Sequence, residues 1–302
     1  MISFDEIMTA VRDRPNKTVA IAKPEEEIVI RAAVDARDLG LADSIFVGDR
    51  GEIEHIAQAE GFDLTGIRIV DEPDQVIASR KAVALVSGGE ADFLLKGLTD
   101  TSILLRAVLD REIGLRTGRT LSHICLMELP HVPRLIAFTD AGMNIAPSKE
   151  DRIAIIQNAI DLMHWIGIPE PKVGLLAAIE KVNPAMPITV EERQIAESVE
   201  FPNALVCGPL SYDVAMSPES AELKGFDHPV AGHADVLVMP EIHAGNILVK
   251  ALIELPGTRW AGLLMGAKVP CIVTSRGDVD PMIRVRSIAT ASLISGAGVP
   301  VG

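Results

Sequence analysis

Short apolar runs rich in Val, Ile and Leu alternate along this chain with longer segments whose apolar residues recur at helical spacing. Gly, Pro and Asp residues separate the segments. In the first part of the chain, the pattern predicts strands at 18–21, 44–47, 67–70 and 93–95, and helices at 24–40, 52–60, 74–87 and 102–110. This alternation predicts parallel strands joined by crossover helices.

The pattern changes in the middle of the chain. The strand-like runs 122–128 and 134–139 are separated only by LPHVP, which predicts an antiparallel hairpin rather than a crossover. The alternation then resumes, with predicted helices at 149–166, 188–197, 246–255 and 282–294 and predicted strands at 173–177, 205–207, 236–239 and 271–274. We therefore expect an α/β protein with mixed, mainly parallel sheets.

The length of the chain predicts two domains. Its 302 residues are about twice a typical domain. A boundary is placed at 146–148, where Pro147 opens a new helix after the hairpin segment. No flexible linker or solenoid repeat is found in the sequence.

Composition and charge narrow the class of protein. There are 28 Lys and Arg against 42 Asp and Glu, a net charge of -14, so nucleic acid is not expected as a partner. Hydrophobic residues make up 48% of the chain and aromatic residues only 3%, which favours aliphatic cores between helices and parallel strands over a β-sandwich. The sequence has neither an apolar run long enough for a membrane span nor a signal-peptide start, so we expect a cytoplasmic protein.

Neither a metal site nor a nucleotide-binding loop is predicted. The three cysteines are widely spaced without a CxxC pair, and the seven histidines are scattered. The sequence contains no G-x-G-x-x-G after a strand and no G-x-x-x-x-G-K-[ST]. The acidic run 25–27 is interpreted as a solvated helix start.

Candidate chemistry is sought directly after the predicted strands, because ligands of open parallel sheets bind at the carboxyl ends of the strands. In 275–280 (SRGDVD), the hydroxyl, guanidinium and carboxylates could bind an oxyanion and move a proton. In 240–246 (PEIHAGN), Gly245 admits a ligand close to the backbone, His243 could act as a base and Asn246 could cap the helix. The structural alternative is an N-capping Asp for 275–280 and an ordinary strand-to-helix turn for 240–246.

Two further segments, 96–101 (KGLTDT) and 139–144 (TDAGMN), also follow predicted strands. The first could form a phosphate-binding patch at a helix start, and the second could orient a ligand. Their candidate residues are Lys96, Gly97, Thr99, Arg106, Asp140 and Asn144. The alternatives are a capping residue beside a solvated Lys in the first segment and side chains that knit a turn in the second.

Five blocks of sequence carry a resemblance that covers essentially the whole chain. They are LLKGLTDTSILLRAVLD (94–110), LIAFTDAGMNIAPS (135–148), GPLSYDVAMS (208–217), AGHADVLVMPEIHAGNILVKAL (231–252) and GAKVPCIVTSRGD (266–278). In order and spacing they resemble the phosphate acetyl/butyryltransferase family. The first two blocks look closer to the butyryl branch than to the acetyl branch.

The resemblance implies a two-domain α/β fold similar to isocitrate/isopropylmalate dehydrogenases, with a cleft between the domains. The last helix would return to the first domain, which would comprise 1–146 plus about 278–302, leaving 147–277 as the second. It also implies reversible transfer of a short-chain acyl group, butyryl or similar, between coenzyme A and inorganic phosphate. Coenzyme A would be a substrate, no cofactor would stay bound, and the protein would form a homodimer or larger homo-oligomer.

The resemblance also implies catalytic residues. Ser275 and Arg276 match the serine and arginine implicated in catalysis, and a carboxylate slightly downstream would deprotonate the coenzyme A thiol. The spacing between this segment and the final helix departs from the family pattern by a residue or two. Asp278 and Asp280 therefore both stand as candidates for the base.

Anionic substrates require cationic residues in the site. Acyl phosphate and thiolate both carry negative charge, so we expect four cations to gather around them: Lys96, Arg106, Lys268 and Arg276. Arg106 also matches a family arginine, whereas Ala141 stands where acetyl-specific relatives have a cysteine and receives no role. Because no Cys or Ser has an adjacent base, we expect direct transfer in a ternary complex rather than an acyl-enzyme.

Other functions remain open at this stage. Within the same family, the acyl group could be acetyl. Within the same superfamily, the protein could be a NAD-dependent decarboxylating dehydrogenase, although the clustered Asp metal ligands of such enzymes are not evident, or an acyl-ACP:phosphate transferase. A different class would be a non-catalytic regulatory module that binds coenzyme A or acyl phosphate, against which the retention of Ser275 and Arg276 argues.

Overall fold

The computed structural model describes residues 3–275 and 277–297, whose contacts divide the chain into two compact units. We call Thr120–Trp260 the middle unit, and Phe4–Arg119 together with the described residues from 261 onward the terminal unit. This division differs from the predicted boundaries at 146 and 277. Strand pairing is the reason, because the hairpin before 146 pairs with a later strand of the middle unit, and the strand at Cys271–Ile272 pairs with one that precedes 119.

The terminal unit is an α/β layer structure with one antiparallel strand pair. Its strands are β1 (Thr18–Ala22), β2 (Asp43–Gly48), β3 (Arg68–Asp71), β4 (Phe93–Lys96), β10 (Arg259–Met265) and β11 (Cys271–Ile272). They run in the order β3-β2-β1-β4-β11-β10, and every pair is parallel except β11 with β10. Its helices are α1 (Phe4–Arg12), α2 (Glu27–Asp38), α3 (Arg50–Glu60), α4 (Gln75–Ser87), α5 (Thr101–Val108) and α11 (Pro281–Ile294).

Local sequence signals set these elements. Helix α3 begins after Asp49, whose carboxylate accepts the Glu52 amide, and ends at Gly61, whose φ of 73° suits glycine. Asp74 caps α4 in the same way. Helix α11 packs against α1 and α2, and 11 of its 14 residues are buried, so this helix is part of the core of the terminal unit.

The middle unit also combines parallel and antiparallel strand pairs with helices. Its strands are β5 (Ser122–Glu128), β6 (Leu135–Thr139), β7 (Lys172–Leu176), β8 (Leu205–Leu210) and β9 (Val236–Val238). They run in the order β5-β6-β9-β7-β8, in which β5 and β6 form the predicted antiparallel hairpin and the other pairs are parallel. Its helices are α6 (Lys149–Trp165), α7 (Pro187–Ser198), α8 (Tyr212–Met216), α9 (Pro218–Leu223) and α10 (Ile242–Ile253).

The predicted fold class, α/β with mixed and mainly parallel sheets, is confirmed in each unit. The elements missing from the prediction are α1, α8, α9 and β10. Strand β10 (RWAGLLM) is buried at six of its seven positions, so it lacks the alternation that marks a half-exposed strand. No helix within 3–275 and 277–297 combines the length and apolar character needed to cross a bilayer.

Candidate active site

Two of the four predicted segments start at one edge of the terminal unit's sheet. Strands β4 and β11 are parallel neighbours, with Ile272 opposite Leu95. Because neighbouring parallel strands end at the same edge, segments 96–101 and 275–280 both leave the sheet there. Strand β1 lies on the other side of β4, with Ala22 opposite Lys96, so residues that follow β1 share this edge as well.

Ser275 lies in a tight turn closed by Asp278. The Asp278 carboxylate accepts the Ser275 backbone N–H at 2.6 Å, and the Asp278 N–H donates to the Ser275 carbonyl at 3.2 Å. The Ser275 hydroxyl accepts the Gly277 N–H at 3.2 Å and is exposed to solvent. Arg276 lies outside the described residues. The turn holds the Ser275 hydroxyl and the Asp278 carboxylate within one short loop.

Asp280 has a different role in the fold. One carboxylate oxygen accepts the Met282 N–H at 2.9 Å and so caps α11, and the other lies 3.6 Å from a guanidinium nitrogen of Arg286. Both oxygens of Asp280 therefore hold the start of the helix. The two candidates for the base thus differ, since Asp278 bonds to Ser275 itself and Asp280 anchors the following helix.

Arg284 was missed by sequence reasoning. It is buried in α11, and one guanidinium nitrogen donates to the Asp278 carbonyl at 3.0 Å. Burial lowers the pKa of Arg284, and the carboxylates of Asp278 and Glu26 act against that shift. A buried arginine thus lies directly against the candidate catalytic turn. Arg284 is the fourth residue of α11, and the sequence pattern gave no signal that this charged side chain is among the 11 buried ones of the helix.

The segment after β4 folds around Lys96. This side chain is buried, and its ammonium group donates to the carbonyls of Gly97 and Thr99, each at 3.2 Å. Thr99 is also buried, with its hydroxyl 3.3 Å from that of Ser79. The alternative of a solvated lysine is therefore wrong. Lys96 stabilises the loop that leads into α5.

A buried ion pair, Lys23 with Glu25, lies beside this loop and was also missed. The Lys23 ammonium is 2.5 Å from a Glu25 carboxylate oxygen and donates to the Pro73 carbonyl at 2.8 Å, while Glu25 accepts the Asp49 N–H at 2.7 Å. Glu25 is only 8% exposed, so its interpretation as part of a solvated helix start is wrong. The available signal was position, because Lys23 and Glu25 directly follow the carboxyl end of β1.

Arg106 and Lys268 are exposed cations. Arg106 belongs to the last turn of α5 and lines a cavity of about 230 Å³ between α4 and α5, together with Arg80 and Asp110, which form an ion pair at 2.7 Å. Lys96 and Lys268 do not line this cavity. The gathering of the four cations around the substrates therefore stays a prediction.

In the middle unit, the segment after β6 is a turn organised by Asp140. One carboxylate oxygen accepts the backbone N–H groups of Gly142 and Met143 at 2.8 and 2.9 Å. The other accepts the Asn144 side-chain amide at 2.6 Å, and that amide also donates to the Leu121 carbonyl at 2.8 Å. Asp140 is buried. In this structure Asp140 and Asn144 knit a turn, which was the structural alternative for this segment.

The segment after β9 packs on that turn, as expected from the parallel pairing of β6 with β9. The Asn246 amide donates to the Ala141 carbonyl at 3.0 Å, and a Cβ at Gly245 would lie 2.5 Å from the Asp140 carbonyl oxygen. Asn246 therefore does not cap α10; Glu241 does, through the amides of residues 243 and 244. His243 is exposed at the first turn of the helix.

A buried, unpaired carboxyl group lies in the same unit. Glu192 of α7 is 1% exposed, and neither of its carboxylate oxygens has a hydrogen-bond partner among the described residues. Burial raises the pKa of Glu192 to about 9, although the positive charge of Arg152 opposes the shift. Arg152 itself donates to Glu191 at 2.7 Å and to the Met239 carbonyl at 3.2 Å, which ties α6 to α7 and to the end of β9.

Replacing Glu192 by Gln is expected to change the pH dependence of stability. Between the usual pKa of 4.5 and about 9, folded Glu192 holds a proton that the unfolded chain has released. Stability then falls as the pH rises through this window, by up to about 1.4 kcal/mol per pH unit. Glu192→Gln removes this slope. The free energy of unfolding, measured with urea at pH 5.5 and pH 8, should therefore be higher for the variant relative to the unsubstituted protein at pH 8 than at pH 5.5.

The matched control for this experiment is Glu197→Gln, which neutralises an exposed carboxylate on the same helix. Its stability should follow the unsubstituted protein at both pH values, within about 0.5 kcal/mol. If the free energies of unfolding of Glu192→Gln and the unsubstituted protein change equally between pH 5.5 and pH 8, Glu192 ionises normally in the folded chain.

Within the described ranges, no three or more His, Cys, Asp or Glu side chains gather as a potential metal site. The polar residues that the structure describes after the strands offer hydroxyl, carboxylate, amide and cationic groups. Such groups suit the binding of an anionic ligand and the transfer of a proton.

Comparisons with known proteins show the family of the chain. Residues 74–291 match the family model described as phosphate acetyl/butaryl transferase. The phosphate butyryltransferase of Clostridium acetobutylicum is 40% identical over 297 residues, which cover 97% of this chain and 98% of that protein. The phosphate acetyltransferase of Rhizobium meliloti is 38% identical over 293 residues, or 96% of this chain and 92% of that protein.

A solved structure agrees with these sequence relatives. The branched-chain phosphotransacylase from Enterococcus faecalis matches with a TM-score of 0.81 and 31% identity, covering 93% of this chain and 99% of that one. The match extends over both units rather than over one of them. The resemblance of the five sequence blocks is thus confirmed over nearly the full length, and the chain belongs to the phosphate acetyl/butyryl transferase family.

Proposed function

We propose that the protein is an acyltransferase that moves a short-chain acyl group, butyryl or similar, reversibly between coenzyme A and inorganic phosphate. Family membership and the two named groups of relatives support this activity. The observation that carries it is the turn after β11, where the exposed Ser275 hydroxyl and the Asp278 carboxylate share one loop. A second candidate within the family is acetyl transfer, which the Rhizobium meliloti relative favours.

The proposed chemistry needs positioned charges rather than a protein nucleophile. In the direction from acyl-CoA, a phosphate oxygen attacks the thioester carbonyl carbon, the new C–O bond forms, the C–S bond breaks, and the departing sulfur takes a proton from an acid. In reverse, the carboxylate of that group takes the thiol proton, the thiolate attacks the carbonyl carbon of the acyl phosphate, the C–S bond forms, and the C–O bond breaks to release phosphate. Ser275 donates a hydrogen bond to the developing carbonyl oxyanion, and Arg276 binds phosphoryl oxygens.

We assign the proton transfer to Asp278 and leave Asp280 as the alternative. Asp278 is hydrogen-bonded to the backbone of Ser275 at 2.6 Å. Asp280 is committed to the α11 cap and to Arg286. A general base has to lie within reach of the group that it deprotonates, so the carboxylate in the Ser275 turn fits the role better.

The remaining candidate residues form two groups, those that hold the loops in place and those with exposed side chains. Gly97 and Gly245 permit close backbone approaches, and Lys96, Thr99, Asp140, Asn144 and Asn246 hold the loops that surround them. The exposed side chains of Arg106, His243 and Lys268 are proposed to contact the phosphates of coenzyme A. The proposal includes coenzyme A as substrate with no tightly bound cofactor, and a cytoplasmic homodimer or larger homo-oligomer, in line with the family resemblance.

The test is phosphate-dependent release of free thiol from acetyl-, propionyl-, butyryl- and hexanoyl-CoA. We expect turnover with several of these and the highest kcat/KM with butyryl-CoA, with turnover lost in Arg276→Ala. Highest kcat/KM with acetyl-CoA would support the acetyl alternative. Absence of turnover with every acyl-CoA would instead favour a non-catalytic binding module. A burst of free coenzyme A without phosphate would contradict direct transfer, because only an acyl-enzyme would release the thiol first.

A further inference from the structure

An apolar cavity of about 410 Å³ lies in the middle unit at the carboxyl ends of three parallel strands. Leu176 ends β7, Tyr212 follows β8 and Met239 follows β9. Its remaining wall includes Ile188 of α7 and Leu248 of α10. Its position is the one at which open parallel sheets bind ligands, and its size falls within the usual range for small-molecule sites of about 300 to 1,000 Å³.

The chemistry of the wall selects an uncharged ligand group. Every residue that the structure describes around the cavity is aliphatic, a methionine, a proline or Tyr212, and none carries a charge. Burial of part of the Tyr212 side chain raises the pKa of its phenol. A phosphate placed here would lack a cation, and an adenine ring would bury several ring nitrogens without enough partners. A hydrocarbon chain has no such groups to leave unpaired.

The cavity adjoins two of the candidate binding segments. Met239, Pro240 and Ala244 line it, while the next residue on the helix, Gly245, packs on the Asp140 turn. Helix α10 therefore presents one surface to the cavity and another to segment 139–144. The depth of the cavity comes from Leu176 and Met239, which are 5% and 3% exposed, and its rim includes Tyr212 at 36%.

We infer that this cavity binds the aliphatic acyl chain of the substrate and that Ala244 and Leu248 set the preferred chain length. The inference rests on the proposed function and deepens it by naming the cavity and the residues that select the acyl chain. Contact with each added methylene favours longer chains until the floor at Leu176 and Met239 is reached. An acetyl group has no aliphatic chain beyond its methyl carbon, so acetyl-CoA gains little from the cavity and loses little when the cavity is filled.

Three variants on α10 test the inference. Ala244→Leu fills the cavity, Leu248→Ala enlarges it, and Ile247→Ala is the matched control because Ile247 is 69% exposed and does not line the cavity. The measurement is kcat/KM for acetyl-, butyryl- and hexanoyl-CoA at saturating phosphate, together with the calorimetric Kd of each acyl-CoA. Thermal unfolding verifies that each variant is folded, and Leu248→Ala keeps the test available if Ala244→Leu does not fold.

We expect Ala244→Leu to lower kcat/KM about tenfold or more for butyryl- and hexanoyl-CoA but less than about threefold for acetyl-CoA. Leu248→Ala should raise the ratio of hexanoyl to acetyl kcat/KM by about fivefold or more, and Ile247→Ala should leave all ratios unchanged. Equal losses for all three substrates would overturn the inference in favour of a group common to them, such as adenine. Unchanged values for both cavity variants would also overturn it.

The calorimetric measurement separates failure of the inference from failure of the proposed function. If the unsubstituted protein shows no phosphate-dependent thiol release, the proposed function fails. A Kd that tightens with chain length, and that loses this dependence in Ala244→Leu, still assigns the cavity to the acyl chain. A Kd independent of chain length rejects the cavity as the acyl site in either case.

Discussion

Asp278→Asn is expected to lower kcat by about 10²- to 10⁴-fold with a much smaller change in KM, because the variant keeps the turn and loses the base. The carboxylate of Asp278 accepts the Ser275 N–H at 2.6 Å, and the carbonyl oxygen of an asparagine can accept the same bond. The fold of the loop should therefore survive while proton transfer does not. Steady-state kinetics in the direction from coenzyme A and acyl phosphate measure the loss, since the thiol must be deprotonated there.

Asp280→Asn is the matched control, because asparagine caps a helix as well as aspartate does. Asp280 accepts the Met282 N–H at 2.9 Å at the start of α11, and the amide oxygen preserves this contact. We expect kcat to stay within about threefold of the unsubstituted protein, since only the 3.6 Å ion pair between the half-exposed Asp280 carboxylate and Arg286 is weakened.

The two variants give distinct answers to the open choice of base. A large loss of kcat in Asp280→Asn with little effect of Asp278→Asn would move the base to Asp280. Similar losses in both, accompanied by lower unfolding temperatures, would mean that the loop had been disrupted in each case. Full activity in both would show that neither carboxylate moves the proton.

The fold could be predicted because its signals are local. The runs TVAI and SIFV are short, β-branched and bounded by turn residues, and they became β1 and β2 with end shifts of one residue or none. The hairpin of β5 and β6 followed from a connection too short for a helix. The division into units was harder, because it depends on which strands pair across the chain, as β11 does with β4.

The places of the four candidate segments in the fold were predicted from the sequence, whereas their functional roles stay predictions. All four segments chosen after strands do lie at strand ends, because the topology of an α/β sheet dictates that arrangement. The direction of each side chain is a tertiary property. Asp140 was considered as a ligand-binding group, yet its carboxylate is saturated by backbone amides and by Asn144. The buried ion pair of Lys23 and Glu25 includes Glu25, which sequence reasoning had assigned to solvent.

The lining of the apolar cavity is the clearest example of a feature that the sequence pattern does not predict. Its wall combines residues from β7, α7, α8 and α10, which span more than seventy positions of the chain. No periodicity relates them, so chain-length preference could not be deduced from the pattern of any one segment. Only the packing of parallel strands with their flanking helices brings these side chains to one place.

Gly97→Ala is expected to destabilise the protein by about 3 kcal/mol or more, above the range of ordinary overpacking, because its obstruction is backbone rather than a movable side chain. A Cβ at this position would lie 2.0 Å from the Lys23 carbonyl oxygen and 2.9 Å from that of Ala22. The Gly97 and Leu98 amides donate to these same two carbonyls, so relief of the clash would break the link between β1 and the Lys96 loop.

Gly51→Ala is the matched control for that substitution. Gly51 lies in the first turns of α3, and an added Cβ would meet only an Asp49 carboxylate oxygen at 3.4 Å. Alanine is the better helix former by about 1 kcal/mol, so this variant should unfold at an equal or higher urea concentration than the unsubstituted protein. Gly97→Ala should unfold at a lower one and lose kcat/KM, because the loop beside the Ser275 turn is displaced. An unchanged midpoint for Gly97→Ala would mean that β1 and β4 can separate without cost, contrary to their buried parallel pairing.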